Sequence, residues 1–232
     1  MGDIDGDGYD DVVFGAYGYD GGEPDEGRVF VFYGSDTGLP ATPDSWLEID
    51  MPYAWFGSMA TGAGDVNGDG YADVVVGAVD YANGQDGEGA AFVYLGSADG
   101  LEATPSWSYE SDWAYTHMGN FVWTAGDVNG DAYDDVFVGG WKYSELRSEE
   151  GAAWCFLGSP TGPEANPAWM LSGQQSGAWL TRGGTAGDVN GDGYDDLIAG
   201  GLGYDTDWFD EGQAFVFHGP LDSITSPTDC PK

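Results

Sequence analysis

Positive charge is nearly missing from this sequence. Its 232 residues hold 5 Lys and Arg against 41 Asp and Glu, a formal net charge of -36. A nucleic-acid duplex or an anionic bilayer repels such a surface, so neither is a good partner. Cysteine is scarce: Cys155 and Cys230 make neither a disulfide framework nor a zinc cluster, and leave the redox compartment open. No run approaches ~20 apolar residues, which argues against membrane insertion. Met1-Gly2-Asp3-Ile4-Asp5 has no basic region and no apolar run, so no signal peptide is visible in this chain. Sustained helical periodicity is also absent. What is abundant is glycine, 41 residues, which implies dense turns, and apolar residues, 41% with 15% aromatic, enough for a core and too many for a disordered acidic tail.

The chain repeats itself. GDIDGDGYDD from Gly2, GDVNGDGYAD from Gly64, GDVNGDAYDD from Gly126 and GDVNGDGYDD from Gly187 align, with steps of 62, 62 and 61 between Asp3, Asp65, Asp127 and Asp188. The same register carries Glu26-Gly27, Glu88-Gly89, Glu150-Gly151 and Glu211-Gly212. It also carries Tyr19, Tyr81, Tyr143 and Tyr204, and a tryptophan following a proline, Trp46, Trp107 and Trp169. The repeats run approximately 1-62, 63-124, 125-185 and 186-232, the first and last incomplete. Each holds short β-branched and aromatic runs closed by Gly, Pro, Asp or Ser, which are strand signals. Val12-Val13-Phe14, Val74-Val75-Val76, Val136-Phe137-Val138 and Leu197-Ile198-Ala199 follow the acidic loop; a second run follows Glu-Gly, a third starts at the tryptophan, and a fourth leads into the next acidic loop. About four strands per unit of ~62 residues gives an all-β fold, a β-propeller of four-stranded antiparallel blades in a single domain, 1-232.

The acidic loops carry metal chemistry. Calcium takes six to eight hard oxygens, and alternating short carboxylates on a tight loop supply them. The expected donors are Asp3, Asp5, Asp7, Asp11 and the Tyr9 carbonyl in the first loop, and Asp65, Asn67, Asp69, Asp73 and the Tyr71 carbonyl in the second. The third uses Asp127, Asn129, Asp131, Asp135 and the Tyr133 carbonyl, and the fourth Asp188, Asn190, Asp192, Asp196 and the Tyr194 carbonyl. Four copies keep every donor position, unlike ordinary solvated turns. An EF-hand is excluded, because its twelfth position needs a bidentate Glu and here holds Phe14, Val76, Val138 and Ala199, inside strand-like runs.

Phe56-Gly57, the Gly64-to-Gly70 loop and Gly77-Ala78 together resemble the FG-GAP repeat, which builds the propeller of integrin α subunits and of many bacterial surface proteins. The resemblance spans essentially the whole chain. It implies calcium in the loop joining the first two strands of each blade, rings of about seven blades, and ligands on the opposite face. There are departures. Ala132 stands where the other repeats have Gly8, Gly70 and Gly193, which would weaken the third of up to four calcium sites. The Phe-Gly pair reads Met118-Gly119 in the third repeat and Trp179-Leu180 in the fourth. The first repeat lacks the segment before its acidic loop, and Pro227-Thr228-Asp229-Cys230 matches Pro43-Asp44-Ser45-Trp46, where the last strand begins. The expectation is part of a larger ring. The alternatives are a closed four-bladed ring and self-association of two chains into one.

Aromatic residues crowd the loops opposite the acidic ones. The repeated tyrosines and the three tryptophans read as packing, and the Glu series as turn caps. Trp141, Lys142, Arg147, Trp208 and Phe209 are not repeated and are the better ligand candidates. His117 and His218, the two histidines, form no nucleophilic set by spacing, so a catalytic role finds little support. The resulting reading is a calcium-binding adhesion or protein-ligand module, extracellular or at the cell surface, with a protein or glycan ligand. Its alternatives are a lectin-like propeller and a non-catalytic scaffold domain of a larger secreted enzyme.

Overall fold

A computed structural model describes residues 1–221. Among them the regular structure is all strand. β1 (Val12–Ala16), β2 (Arg28–Phe32) and β3 (Ser45–Leu47) make the first sheet. The second is β4 (Phe56–Gly64), β5 (Asp73–Ala78), β6 (Ala90–Tyr94) and β7 (Trp107–Glu110). The third is β8 (Met118–Gly126), β9 (Asp135–Gly140), β10 (Ala152–Phe156) and β11 (Trp169–Ser172). The fourth is β12 (Leu180–Gly187), β13 (Asp196–Gly201) and β14 (Gln213–Phe217). Each is an antiparallel meander in chain order, as blades of a propeller are. The expected match of Pro227–Cys230 lies outside the described residues. The sheets are offset from the sequence repeats, since β4 and β8 each belong to a sheet whose other strands follow in the next repeat.

The blades stack through their first strands, β4 against β8 and β8 against β12, with β1 on β4. Among the described residues no comparable packing joins the last sheet to the first, so the four blades form an open arc. Burial follows from that position. β5, β6, β9 and β10, covered on both faces, are buried throughout. β1 and β14, at the ends, bury little: Val13 in the first, Phe215 and Phe217 in the second, as in a sheet with one open face. Three apolar cores fill the gaps between blades. One joins Val29, Val31 and Leu47 to Phe56, Val76 and Phe92; another joins Val75, Val93 and Trp107 to Val138 and Phe156; a third joins Phe137, Cys155 and Trp169 to Leu197 and Phe215. Each fully buried large side chain there contributes about 1.5–3 kcal/mol.

Close approach of these strands explains one glycine of the repeat. A Cβ on Gly77 in β5 would overlap the Gly119 carbonyl oxygen in β8, so the crossing of neighbouring blades admits no side chain.

Two register readings from sequence are corrected. Trp107 lies opposite Val93 and Trp169 opposite Cys155, but Trp46 lies opposite Phe30, one residue out of step. A one-residue shift turns a side chain to the other face. Trp46 is therefore 53% exposed, while Trp107 and Trp169 are buried. Likewise the plug that ends each inter-blade link is Phe56, Met118 and Leu180, all fully buried, so Trp179 corresponds to Trp55 and His117, not to Phe56. Trp55, His117 and Trp179 share a positive φ, 53°, 51° and 49°.

Candidate metal centres and the opposite face

Antiparallel order puts the β4–β5, β8–β9 and β12–β13 connections, which are the acidic loops, at one end of the arc. The loops after β5, β9 and β13, and the links between blades, lie at the other.

Within each acidic loop the leading aspartate organises the turn. Asp3 Oδ1 accepts from the amides of Gly6 (2.7 Å) and Asp7 (3.0 Å), and its Oδ2 from Gly8 (2.8 Å). Asp127 and Asp188 repeat the set, and Asp65 accepts from Asp69 and Gly70. Asp7, Asp69, Asp131 and Asp192 each accept from the amide two residues on, that of Tyr9, Tyr71, Tyr133 or Tyr194. Asn67, Asn129 and Asn190 turn their amide nitrogens toward Asp69, Asp131 and Asp192. The last aspartate has a second duty that spacing alone did not reveal. Asp11 accepts from Ile4 (2.8 Å) and, across the blade, from Gly34 (2.7 Å). Asp73, Asp135 and Asp196 do the same with Val66 and Gly96, Val128 and Gly158, and Val189 and Gly219. These four carboxylates are almost completely buried.

Donor convergence is clearest in the first loop, where Asp3, Asp5 and Asp11 each present a carboxylate oxygen within 4.8 Å of the others. Asp7, Asp69, Asp131 and Asp192 belong to the same turns. Burial, with nearby acids adding to it, pushes Asp73 and Asp135 up to about 7 against their backbone hydrogen bonds. Burial raises Asp5 as well. Burial also opposes the charge on Asp196, but the hydrogen bond from His218 and the amides of Gly219 and Val189 outweigh it and hold that group low. Asp196 has His218 beside it; the other buried carboxylates, with no counter-charge among the described residues, fit a hard divalent cation.

Successive loops dock on one another. The amides of Ala72, Asp134 and Asp195 donate to the carbonyls of Asp3, Asp65 and Asp127 (2.9, 3.0 and 3.0 Å). The rings of Tyr71, Tyr133 and Tyr194 cover Gly6, Gly68 and Gly130 of the preceding loop. Ala132 has φ 73°, in the region of Gly8, Gly70 and Gly193 (94°, 91° and 95°), as its substitution for glycine implied.

At the other end, the repeated glutamates close the loops before the second strand of each sheet's central pair. Glu26 accepts from Gly22 and Glu23, and Glu150 from Glu145, Leu146 and Arg147. Glu88 accepts from Asn83, and Glu211 from Thr206 and Asp207. The repeated tyrosines pack edge-on against Phe30, Phe92, Trp154 and Phe215. Both series do structural work.

Of the ligand candidates, the structure joins Trp141 and Lys142, whose Nζ lies 4.4 Å from the Trp141 ring centre. Trp141 stacks on His117 and meets Trp179 edge-on. With Asn120, Thr181, Arg182 and Leu202, Trp141 and Trp179 line a cavity of about 320 Å³ between the third and fourth blades. Arg147 instead lies 3.9 Å from Glu150, and Trp208 and Phe209 stand exposed on the β13–β14 loop. Asn120, Thr181, Arg182 and Leu202 were missed from sequence. Aligning Leu180 with Phe56 would have placed Thr181 and Arg182 on this face.

Residues 3–76 match the FG-GAP-like repeat and residues 59–94 the FG-GAP repeat. Phosphatidylinositol-glycan-specific phospholipase D of Bos taurus is 33% identical over 196 residues, covering 77% of this chain and 23% of that protein. Integrin alpha-5 of Xenopus laevis is 32% identical over 146 residues and integrin alpha-V of Gallus gallus 35% over 147, each covering 59% of this chain and 14% of the relative. The chain thus spans under a quarter of the length of these relatives. A crystal structure of the rhamnogalacturonan lyase YesW superposes with a TM-score of 0.52 at 18% identity, over 85% of this chain and 39% of that one, a likeness of fold. The chain is an FG-GAP repeat protein whose blades resemble those of the integrin α propeller.

Proposed function

We propose that this chain is a calcium-stabilised propeller module for adhesion or protein-ligand binding outside the cell. The observation that carries it is the convergence of Asp3, Asp5 and Asp11 on one point, within a turn that the chain repeats four times. Calcium would be held by Asp3, Asp5, Asp7, Asp11 and the Tyr9 carbonyl, and by the corresponding groups of the loops from Asp65, Asp127 and Asp188. Bound there, it supplies the positive charge that the buried Asp11, Asp73 and Asp135 lack and locks each loop against the next blade. The ligand face is the opposite end, around Trp141 and Lys142. Extracellular placement accords with loops of this type, whose affinities of about 10⁻⁴–10⁻³ M suit extracellular calcium. The open arc supports a larger ring, completed by further blades or by self-association, with repeats 1-62, 63-124, 125-185 and 186-232 as its units.

At an affinity near 10⁻⁴ M, millimolar calcium stabilises the fold by about 1.4 kcal/mol per site. Melting curves in calcium and in EGTA should separate by many degrees; superimposed curves would refute the metal assignment.

The Trp141 cavity favours a second reading, a glycan ligand, because it sets two indoles beside Asn120, Thr181 and Arg182. Glycan-array binding that disappears in the Trp141→Ala variant would support it. The third reading, a non-catalytic module of a larger enzyme, rests on the 77% of this chain aligned to the phospholipase D.

A further inference from the structure

The first blade contains a cation site filled from within. Arg28 Cζ lies 4.2 Å from the centre of the Tyr19 ring and 5.3 Å from that of Trp46, and its Nη2 pairs with Glu48. A Cβ on Gly21 would collide with Glu26 Oε1 and Arg28 Nη2 and crowd Glu48 Oε2, so the absence of a side chain at Gly21 leaves room for the guanidinium beside Glu48. Each of these positions recurs 62 residues on, in the second blade: Tyr81 for Tyr19, Glu88 for Glu26 and Glu110 for Glu48. Phe92 likewise stands for Phe30. The register agrees, since Ala90 pairs with Glu110 as Arg28 faces Glu48. Three residues differ. Ala90 replaces the arginine, Ser108 replaces Trp46, and Asn83 stands where the first blade has Gly21.

The result is a cavity of about 210 Å³ lined by Tyr81, Asn83, Ala90, Phe92, Ser108 and Glu110, at the outer corner of the second blade. It lies below the ~300–1,000 Å³ of sites for drug-sized ligands and is scaled to one side chain. Its charge is unbalanced. Glu110 meets only the Asn83 amide, at 3.1 and 3.2 Å. Glu88 is fully buried and its Oε2 has no hydrogen-bond partner among the described residues, whereas both oxygens of Glu26 accept from the backbone. Burial raises Glu110, and the nearby charge of Glu88 adds to it. An aromatic wall beside the Glu110 carboxylate, with the buried charge of Glu88 behind it, attracts a planar cation that can stack and pair at once.

We propose that this pocket binds a guanidinium group, the arginine side chain of a protein partner, stacked on Tyr81 and Phe92 and paired with Glu110. It shares no residue with the Trp141 cavity and uses no proposed calcium donor, so it stands apart from the function argued above.

Calorimetric titration of the calcium-saturated chain with N-acetylarginine amide and N-acetyllysine amide tests it. Saturable arginine binding is expected, weakened at least tenfold in Glu110→Gln and in Ala90→Arg, which supplies the guanidinium internally. Lysine should bind at least several-fold more weakly than arginine. Ala90→Arg should also melt higher than the parent; if it fails to fold, Glu110→Gln alone decides. Arginine affinity unchanged in the folded variants would reduce the effect to general attraction by the acidic surface and overturn the site. Equal affinity for lysine would overturn the guanidinium assignment.

Discussion

Asp134 Oδ2, in the third acidic loop, accepts a hydrogen bond of 2.8 Å from the amide of Asp65, in the second. Asp195 does the same for Asp127 at 3.1 Å. Ala72 occupies the equivalent position in the second repeat, so the first two loops lack this tie. Asp134 is not among the proposed calcium donors. Asp134→Ala leaves the Asp65 amide without its partner, at a cost of about 1–2 kcal/mol. Asp134→Asn keeps an acceptor and removes a charge crowded by Asp65, Asp127 and Asp195, and should recover most of that loss. Urea denaturation in calcium would measure both; equal stability of the Ala and Asn variants would show that the bond contributes nothing.

Ala132→Gly should stabilise the protein. A left-handed backbone costs an L-residue about 1–2 kcal/mol, and Ala132 holds φ 73°. Glycine's extra freedom in the unfolded chain returns about 0.4–1 kcal/mol of that gain. A net stabilisation of about 0.5–1 kcal/mol is expected, with tighter calcium binding at the third loop. Denaturation curves with and without calcium would check it, and a destabilised variant would show that the site tolerates alanine without strain.

Much of this was readable before the fold was known. Asp3, Asp65, Asp127 and Asp188 announce a repeated turn because the turn needs short acceptors at fixed offsets, and the β-branched runs after them announce strands. Register was harder. Trp46 and Trp179 each sit one residue from a repeated position. A shift of one leaves composition unchanged while reversing the face. The cavity beside Trp141 was illegible for another reason: Asn120, Thr181 and Leu202 come from separate strands and loops of two blades, and only their packing brings them together.

Asp69→Ala and Asp192→Ala should each remove one calcium ion, while Trp141→Ala leaves the number unchanged. The acidic loops and the Trp141 loop lie at opposite ends of their strands. Native mass spectrometry counts the ions. Loss of an ion on changing Trp141 would mean that the metal sites are wrongly placed.

Cys155 should resist labelling in the native protein. It is fully buried between the third and fourth blades, and burial raises its thiol well above the ordinary range. The thiolate is the reactive form, so both access and ionisation oppose reaction. Iodoacetamide with peptide mapping should find Cys155 modified only where the third and fourth blades open, and faster in EGTA than in calcium. Rapid native labelling of Cys155 would show that these blades separate readily.

Amide exchange should be slowest in the second and third blades. β5, β6, β9 and β10 are hydrogen-bonded on both edges and buried on both faces. Among the described residues β1 has a partner strand on one edge only, and Val13 alone of its five residues is buried. β14 is likewise half exposed. In an array held by nearest-neighbour packing, a unit with one neighbour loses about half of its support, and exposed strand edges invite pairing with another chain. Local opening should therefore begin in β1–β3 and β12–β14, at a lower free energy than in the middle of the arc. Hydrogen exchange by mass spectrometry, on a sample shown to be monomeric, reads this directly. Val12–Ala16 and Gln213–Phe217 should exchange well before Asp73–Ala78 and Asp135–Gly140. Equal protection of all four blades in a proven monomer would mean that the arc closes on itself in solution, and the larger-ring proposal would fall.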